Sequence, residues 1–235
     1  MAQQQWLIDE SVFSDTNTIE QKVESEINLK PSTRGGRESL EELPNLAIRI
    51  QDIMIWDTKK WFGNAEIRLD ALVVHGNATA DNPQSIYMPQ TFRFPAVKDK
   101  DRLPTGEKGL LVFYGQPQYF LDIFILVSRD RKDTENLATL LSQQLNSSEI
   151  KESLATLLGL AVVAPQATAI VSAIGSASVL GNFAYQVLSR VTGNTIGLYR
   201  NSWLQHTDNF GIGRHPDQGS HKVKDLSFFY EIIQE

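Results

Sequence analysis

Apolar residues recur along this chain with two periods, and the switch between them divides it into strand-like and helix-like stretches. From Leu46 the period is two: Leu46, Ile48 and Ile50 alternate with Ala47 and Arg49, and Ile53 and Ile55 resume in the opposite phase. A slip of one residue moves a strand's apolar set to its other face, so this change predicts a β-bulge near Gln51-Asp52 or two short strands. Ile67, Leu69, Ala71 and Val73 then alternate with Glu66, Arg68 and Asp70, the pattern of a half-buried strand. Phe92 and Phe94 bracket Arg93 in a third strand, and Leu110, Val112 and Tyr114 form a fourth. Phe120 to Ser128 is more continuously apolar, as a central strand requires. Turn signals separate these runs at Gly63-Asn64, Asp81-Asn82-Pro83, Pro104-Thr105-Gly106 and Gly115-Gln116-Pro117.

The period then becomes helical. Leu137, Leu140, Leu141 and Leu145 share one face at 3.6-residue spacing. Ser147 or Ser148 can cap a second helix, in which Ile150, Leu154, Leu157, Leu158 and Ala161 continue an apolar stripe. Pro165 interrupts it and suits the first turn of a third helix, running towards Gly193-Asn194. Strands return at Thr195 to Tyr199 and at Leu226 to Ile233.

Residues 1–44 read as a leader or linker, partly flexible, in which the short apolar groups Trp6-Leu7-Ile8 and Val12-Phe13 are set among polar stretches. Lys30 to Ser39 is turn-rich and apolar-free, and its paired glycines lie between Arg34 and Arg37, a possible site of proteolytic cleavage as well as a plain linker. Residues 45–235 form one domain. Closing strands after a helical block most simply rejoin the earlier sheet, which makes residues 134–192 a helical insertion of two to three helices. Short strands joined by tight turns cannot supply parallel crossovers, so the fold expected is a β-rich (α+β) antiparallel β-sandwich. The stretch Leu46-Ala-Ile-Arg-Ile-Gln-Asp-Ile-Met-Ile-Trp-Asp57, followed by Asn64-Ala-Glu-Ile-Arg-Leu-Asp-Ala-Leu-Val-Val74, resembles the first two strands of C2-type sandwiches. That likeness covers about 30 residues at the level of pattern. It implies a C2-like fold and a membrane- or protein-docking role. It also directs attention to calcium, for which Asp57, Asp99, Asp101, Asp130 and Asp133 would be the loop carboxylates. Solvated hairpin charges explain the same aspartates.

Composition narrows the field. The 235 residues are 41% hydrophobic, enough for a core, and 22 basic against 28 acidic side chains give a net charge of −6. The basic residues sit among acids, as in Lys98-Asp99-Lys100-Asp101-Arg102, so no nucleic-acid groove is expected. The absence of cysteine excludes disulfides, thiolate zinc sites and cysteine nucleophiles. No secretory pattern opens the chain, and a cytoplasmic location is the default expectation.

Two stretches stand apart. From Ser153 to Ser189 there is no Asp, Glu, Lys or Arg, although 21% of the chain is charged. Within it Ala161, Ala169, Ala173, Ala177 and Gly181 fall at four-residue intervals, with Pro165 filling the gap, making a smooth ridge that another helix can approach closely. Packing on the sheet or in an oligomer interface accounts for such a segment better than a membrane span, because Gln166, Thr168, Ser172, Ser176, Ser178, Asn182 and Gln186 follow Pro165; a hairpin that enters a bilayer conditionally is a third reading. The second stretch holds three of the four histidines between His206 and His221, with Asp208 and Asp217 among them. Glycines 211, 213 and 219 with Pro216 read it as a loop. His206, Asp208, His215, Asp217 and His221 could bind zinc or act as acid and base, although their spacing fits no zinc template and turn chemistry explains them equally. No dinucleotide fingerprint, nucleophile elbow or phosphate loop is present.

These features favour a non-enzymatic interaction or docking module, binding a protein partner or itself as a homo-oligomer, with Ala169, Ala173, Ala177 and Gly181 as the contact ridge. Two other functions compete: a pore-forming type of membrane-active effector released by cleavage near Arg34 to Arg37, and a metal-dependent hydrolase using the 206–221 loop.

Overall fold

A computed structural model describes residues 13–15, 43–77, 83–130, 136–144, 148–163, 166–190 and 194–235. Eleven strands are present among them: β1 (Phe13–Asp15), β2 (Leu46–Ile55), β3 (Ala65–Val74), β4 (Tyr87–Val97), β5 (Asp101–Arg102), β6 (Leu110–Gly115), β7 (Phe120–Arg129), β8 (Thr195–Leu204), β9 (Gly213–His215), β10 (His221–Val223) and β11 (Leu226–Gln234). Four α-helices accompany them: α1 (Leu137–Gln144), α2 (Ser148–Val163), α3 (Gln166–Arg190) and the single turn α4 (Gln205–Asp208). One sheet has the order β1-β8-β7-β3-β4 and the other the order β10-β11-β2-β5, with β6 also on β2 and β9 also on β11. All pairings are antiparallel except that of β1, which runs parallel to β8 from Phe13 opposite Leu198. Three residues of the expected leader therefore extend the first sheet.

The sheets face each other across one core. Ile67, Leu69, Ala71 and Val73 of β3 and Leu121, Ile123, Ile125 and Val127 of β7 meet Ile48, Ile50, Ile53 and Ile55 of β2 and Phe228, Tyr230 and Ile232 of β11. The phase switch in β2 is a bulge: Asp52 has φ 50°, and between Gln51 and Met54 this strand carries one residue more than β11 does between Phe229 and Ser227. Both halves of β2 thereby keep their isoleucines inward. The outer strand β4 contains Pro89 and Pro95, which lack the N–H a central strand must donate.

A second core lies on the opposite face of the first sheet. Leu72, Val74, Phe124, Leu126, Leu198 and Leu204 pack there under Leu137, Leu141, Ile150, Leu154, Leu180 and Leu188 of α1 to α3. The molecule is thus a sandwich with helices added as a third layer, and the block between β7 and β8 is the insertion expected. Asn136 helps to start it, its side-chain oxygen accepting from the Ala138 N–H at 2.9 Å.

Helical cover corrects the expectation for β3. The strand is buried on both faces, and Arg68 and Asp70, whose alternation had pointed to solvent, are fully buried. Their charges are met internally: the Arg68 Nε lies 2.7 Å from Asp70 Oδ2, and Thr91 donates to Asp70 Oδ1 at 2.6 Å. A second buried pair joins the neighbouring strands to α3. Arg200 Nη2 lies 2.9 Å from Asp122 Oδ2, Ser202 donates to Asp122 Oδ1 at 2.9 Å, and the Arg200 guanidinium stacks 5.2 Å above the Phe124 ring. Gly181 makes this possible, because a Cβ there would sit 2.3 Å from Asp122 Oδ2 and 2.5 Å from Arg200 Nη2.

Of the small-residue ridge, Ala177 and Gly181 are buried against this sheet; the side chains of Ala169 and Ala173 lie outside the described residues, as do Arg34 and Arg37. No helix among the described residues is long and apolar enough to cross a membrane.

Removing one member of a buried ion pair leaves the other charge in the interior. Asp122→Ala is expected to lower the unfolding free energy by about 3–5 kcal/mol. Asp130→Ala, which releases a guanidinium of Arg93 that is 60% exposed, should cost no more than about 1 kcal/mol. Urea denaturation midpoints of the two variants check the contrast.

Candidate functional site

The histidine-rich segment is more structured than a loop. After β8 the chain makes the turn α4 and a 3-10 turn, Asn209–Gly211, and then adds β9 and β10 to β11. Gly211, at φ +67°, lies where a Cβ would fall 2.3 Å from the Trp203 ring, so the chain can turn tightly under that indole. Asp208 is used at this corner, its Oδ2 accepting from the Leu204 N–H at 2.9 Å. Asp217 is exposed in the bend that follows, and the side chain of His206 lies outside the described residues. Arg214 holds the bend by donating to the carbonyls of Pro216 and Gly219 while its guanidinium lies 4.0 Å above the Phe229 ring.

His215 and His221 are brought to the same side chain. His215 lies between Trp203 and Tyr230, with ring centroids at 4.3 Å and 5.0 Å, and its Nε2 donates to the Gly211 carbonyl. His221 stacks on Tyr230 at 5.8 Å and on Tyr199 at 4.6 Å. Asn201 Nδ2 and Trp203 Nε1 donate to the Tyr230 hydroxyl at 2.9 and 3.2 Å. With both lone pairs of that oxygen taken, its proton points to the Tyr199 oxygen at 3.4 Å, and the Tyr199 proton in turn to His221 Nε2 at 3.2 Å. Burial raises the Tyr230 pKa, which keeps it a donor. Burial first, and then the charges of His215 and Arg214, lower the His221 pKa to about 4, so its ring is a neutral acceptor at neutral pH. The arrangement is a directed hydrogen-bond chain inside a ring stack, and it ties β8 to β11 along one side of the sandwich. Among the described residues no group of three or more His, Asp or Glu side chains could hold a metal ion.

A second region is built from loops. Residues 56–64 between β2 and β3, 98–100 after β4, 129–130 after β7 and 224–225 before β11 converge at one end of the sandwich through the bonds Thr58 N to Asp99 Oδ1 (2.8 Å), Arg129 Nη1 to the Lys59 carbonyl (2.7 Å) and Trp56 N to the Asp225 carbonyl (2.7 Å). Three of the aspartates named as calcium candidates meet here with their carboxylates already engaged. Asp57 accepts from Lys59 N and Nζ at 2.6 and 3.0 Å, which lowers its pKa; Asp99 accepts from Thr58 N and Oγ1; and Asp130 accepts from Arg93 Nε at 2.8 Å. Asp101 accepts from the Lys98 N–H at 2.7 Å, and Asp133 lies outside the described residues.

On the crest of this end stand Trp61 and Phe62, 90% and 81% exposed, with ring centroids 6.4 Å apart. The loop beneath them is pinned. Lys59 Nζ reaches Asp225 at 2.5 Å, Lys60 donates to the Asn64 carbonyl, and Trp56 Nε1 donates to Ser227 Oγ at 3.1 Å. Periodicity passed over this pair because it sits between strands. The signal was present in Lys59-Lys60-Trp61-Phe62-Gly63-Asn64, two bulky apolar residues placed where a turn needs none.

No family model, curated protein or solved structure matches this chain. The reading of function therefore rests on the two arrangements just described, one buried and one exposed.

Acid should weaken the buried one. His221 and His75, whose pKa is likewise lowered by burial, hold protons less tightly folded than unfolded, where the usual value is near 6.5. The unfolded chain then binds more protons between about pH 6.5 and 4, so stability falls as the pH falls through that window. His221→Gln, which keeps an acceptor for Tyr199 and has no titrating ring, should show a shallower loss. Urea midpoints of both proteins across that range check this.

Proposed function

We propose that this protein is a cytoplasmic, non-enzymatic docking module whose working surface is the loop end carrying Trp61 and Phe62. The observation that carries the reading is the near-complete exposure of two adjacent aromatic side chains on a loop held by ion pairs and hydrogen bonds at its base. Single exposed apolar residues need no explanation, but a large aromatic pair held away from the core offers contact area with little further loss of conformational freedom on binding. The histidine segment supports the same reading from the other direction. Its described imidazoles are consumed by packing and by the Tyr199–Tyr230 chain, which favours architecture over hydrolysis. The C2-type likeness of residues 46–74 is kept within this proposal at the level of two facing antiparallel sheets, and no ligand is carried over from it.

A docking module is slowed by what it binds. In cells that make the protein, the intact chain is expected to diffuse more slowly than the Trp61→Ser/Phe62→Ser variant, measured for both by fluorescence correlation spectroscopy. Equal diffusion of two variants with equal urea midpoints would remove this surface from the function.

A further inference from the structure

We infer that β6 is an interface between two copies of this chain, which join their β6 strands antiparallel about a twofold axis. The inference is independent of the docking reading. β6 pairs with residues 46–50 of β2, whereas the Trp61–Phe62 loop follows the other end of that strand, after Ile55.

The first ground is an open edge. Among the described residues β6 pairs with β2 alone, so one row of its backbone N–H and C=O groups faces no strand. Such a row is a template for a further strand, and proteins blunt it with charge or proline. The other described edge strands carry one or the other: Asp15 in β1, Pro89 and Pro95 in β4, Arg102 in β5, Arg214 in β9 and Lys222 in β10. Leu110-Leu-Val-Phe-Tyr-Gly115 carries neither.

The second ground is apolar area beside that edge. Leu111 and Tyr114 are 41% and 51% exposed and stand opposite Arg49 and Ala47 of β2. Ile233 of β11, also exposed, stands opposite Ala47 from the other side. Residues directly opposite in a sheet share a face, so all three lie on the outer face of the second sheet. Nearby charge is spent within that sheet, Arg49 on Glu235 at 3.4 Å and Glu231 on Gln51 at 2.7 Å.

The third ground names the occupant. Between the partners of Ile48 and Arg49, β6 carries one extra residue, Val112. This bulge lets Val112 and Phe113 both enter the core, with Leu110 packed against it and Gly115 opposite the core residue Leu46, while Leu111 and Tyr114 stay outside. The strand therefore runs in, out, in, in, out, in, the same from either end. An antiparallel copy centred between Val112 and Phe113 meets like face with like. Leu111 falls across from the partner's Tyr114, and Tyr114 across from the partner's Leu111, two aromatic–aliphatic pairs of a stabilising kind. A surface that matches itself is what a twofold dimer requires, whereas a regularly alternating peptide would fit only half of this strand. Paired strands of this length make an interface below the roughly 1,200 Å² of stable complexes, so association is reversible.

The test is sedimentation equilibrium of the full chain from low micromolar to submillimolar concentration, where a monomer–dimer equilibrium is expected. Leu111→Lys/Tyr114→Lys sets lysine against lysine in both pairs and should weaken dimerisation at least about tenfold. Its urea midpoint, measured on dilute monomer, should match that of the intact chain. Because the chain has no cysteine, the register can be read by cross-linking. Oxidising a mixture of Leu111→Cys and Tyr114→Cys should give a disulfide-linked dimer of one of each, and neither variant alone should cross-link. A chain monomeric throughout the range, a dimer that survives both lysines, or a cysteine variant that links to itself as readily as to the other overturns the inference. So does a dimer lost in Trp61→Ser/Phe62→Ser, which would put the contact at the crest.

Discussion

Because the first sheet is covered by the second sheet on one face and by helices on the other, every charge carried inward by β3, β7 and β8 has to find its counter-charge inside the protein. Two do so in different ways. Arg68 and Asp70 lie two residues apart on one strand, and their pairing needs only the pleat that sends alternate side chains to the same face, with Thr91 completing it from β4. Asp122 and Arg200 sit on adjacent strands and need the helix as well, since Asn182 supplies a further acceptor for Arg200 and Gly181 leaves the room. Buried pairs of this sort are not a cheap source of stability. They fix geometry, because a shift of α3 along the sheet would bring a side chain to the place where Gly181 leaves room for the pair.

The same constraint explains where polar chemistry could and could not settle. Around Tyr199 and Tyr230 the gap between β8 and β11 is filled by rings and hydroxyls that answer one another: Asn201 and Trp203 to Tyr230, Tyr230 to Tyr199, Tyr199 to His221. A histidine in that chain serves as an acceptor. At the loop end the opposite holds. Backbone and carboxylates are satisfied within the loops, and what remains for the outside is apolar area and ammonium groups.

Much of the architecture was legible in local pattern. The period-two runs marked the long strands, and the reversal of phase at Gln51-Asp52 marked the bulge in β2, because a strand with one buried face records its orientation in every second residue. The helical block announced itself by its 3.6-residue stripe and by the loss of charge after Glu152. Other features left no such trace. Phe13–Asp15 pairs with β8, and the sequence around it has no period to read. Arg68 and Asp70 looked wet, since an alternating charge means solvent unless something covers it.

The amino-acid order by itself determined the kind and sequence of elements: strands, then a helical block, then strands, in a chain without cysteine chemistry. Those properties depend on neighbours a few residues apart, which periodicity, capping and turn residues encode directly. Only the tertiary structure decided which faces were covered, that the imidazoles of His215 and His221 were spent on Tyr230 and Tyr199, and that Trp61 and Phe62 were left outside. Burial is set by what packs across from a residue, and that partner can stand 180 positions away, as Gln51 and Glu231 do.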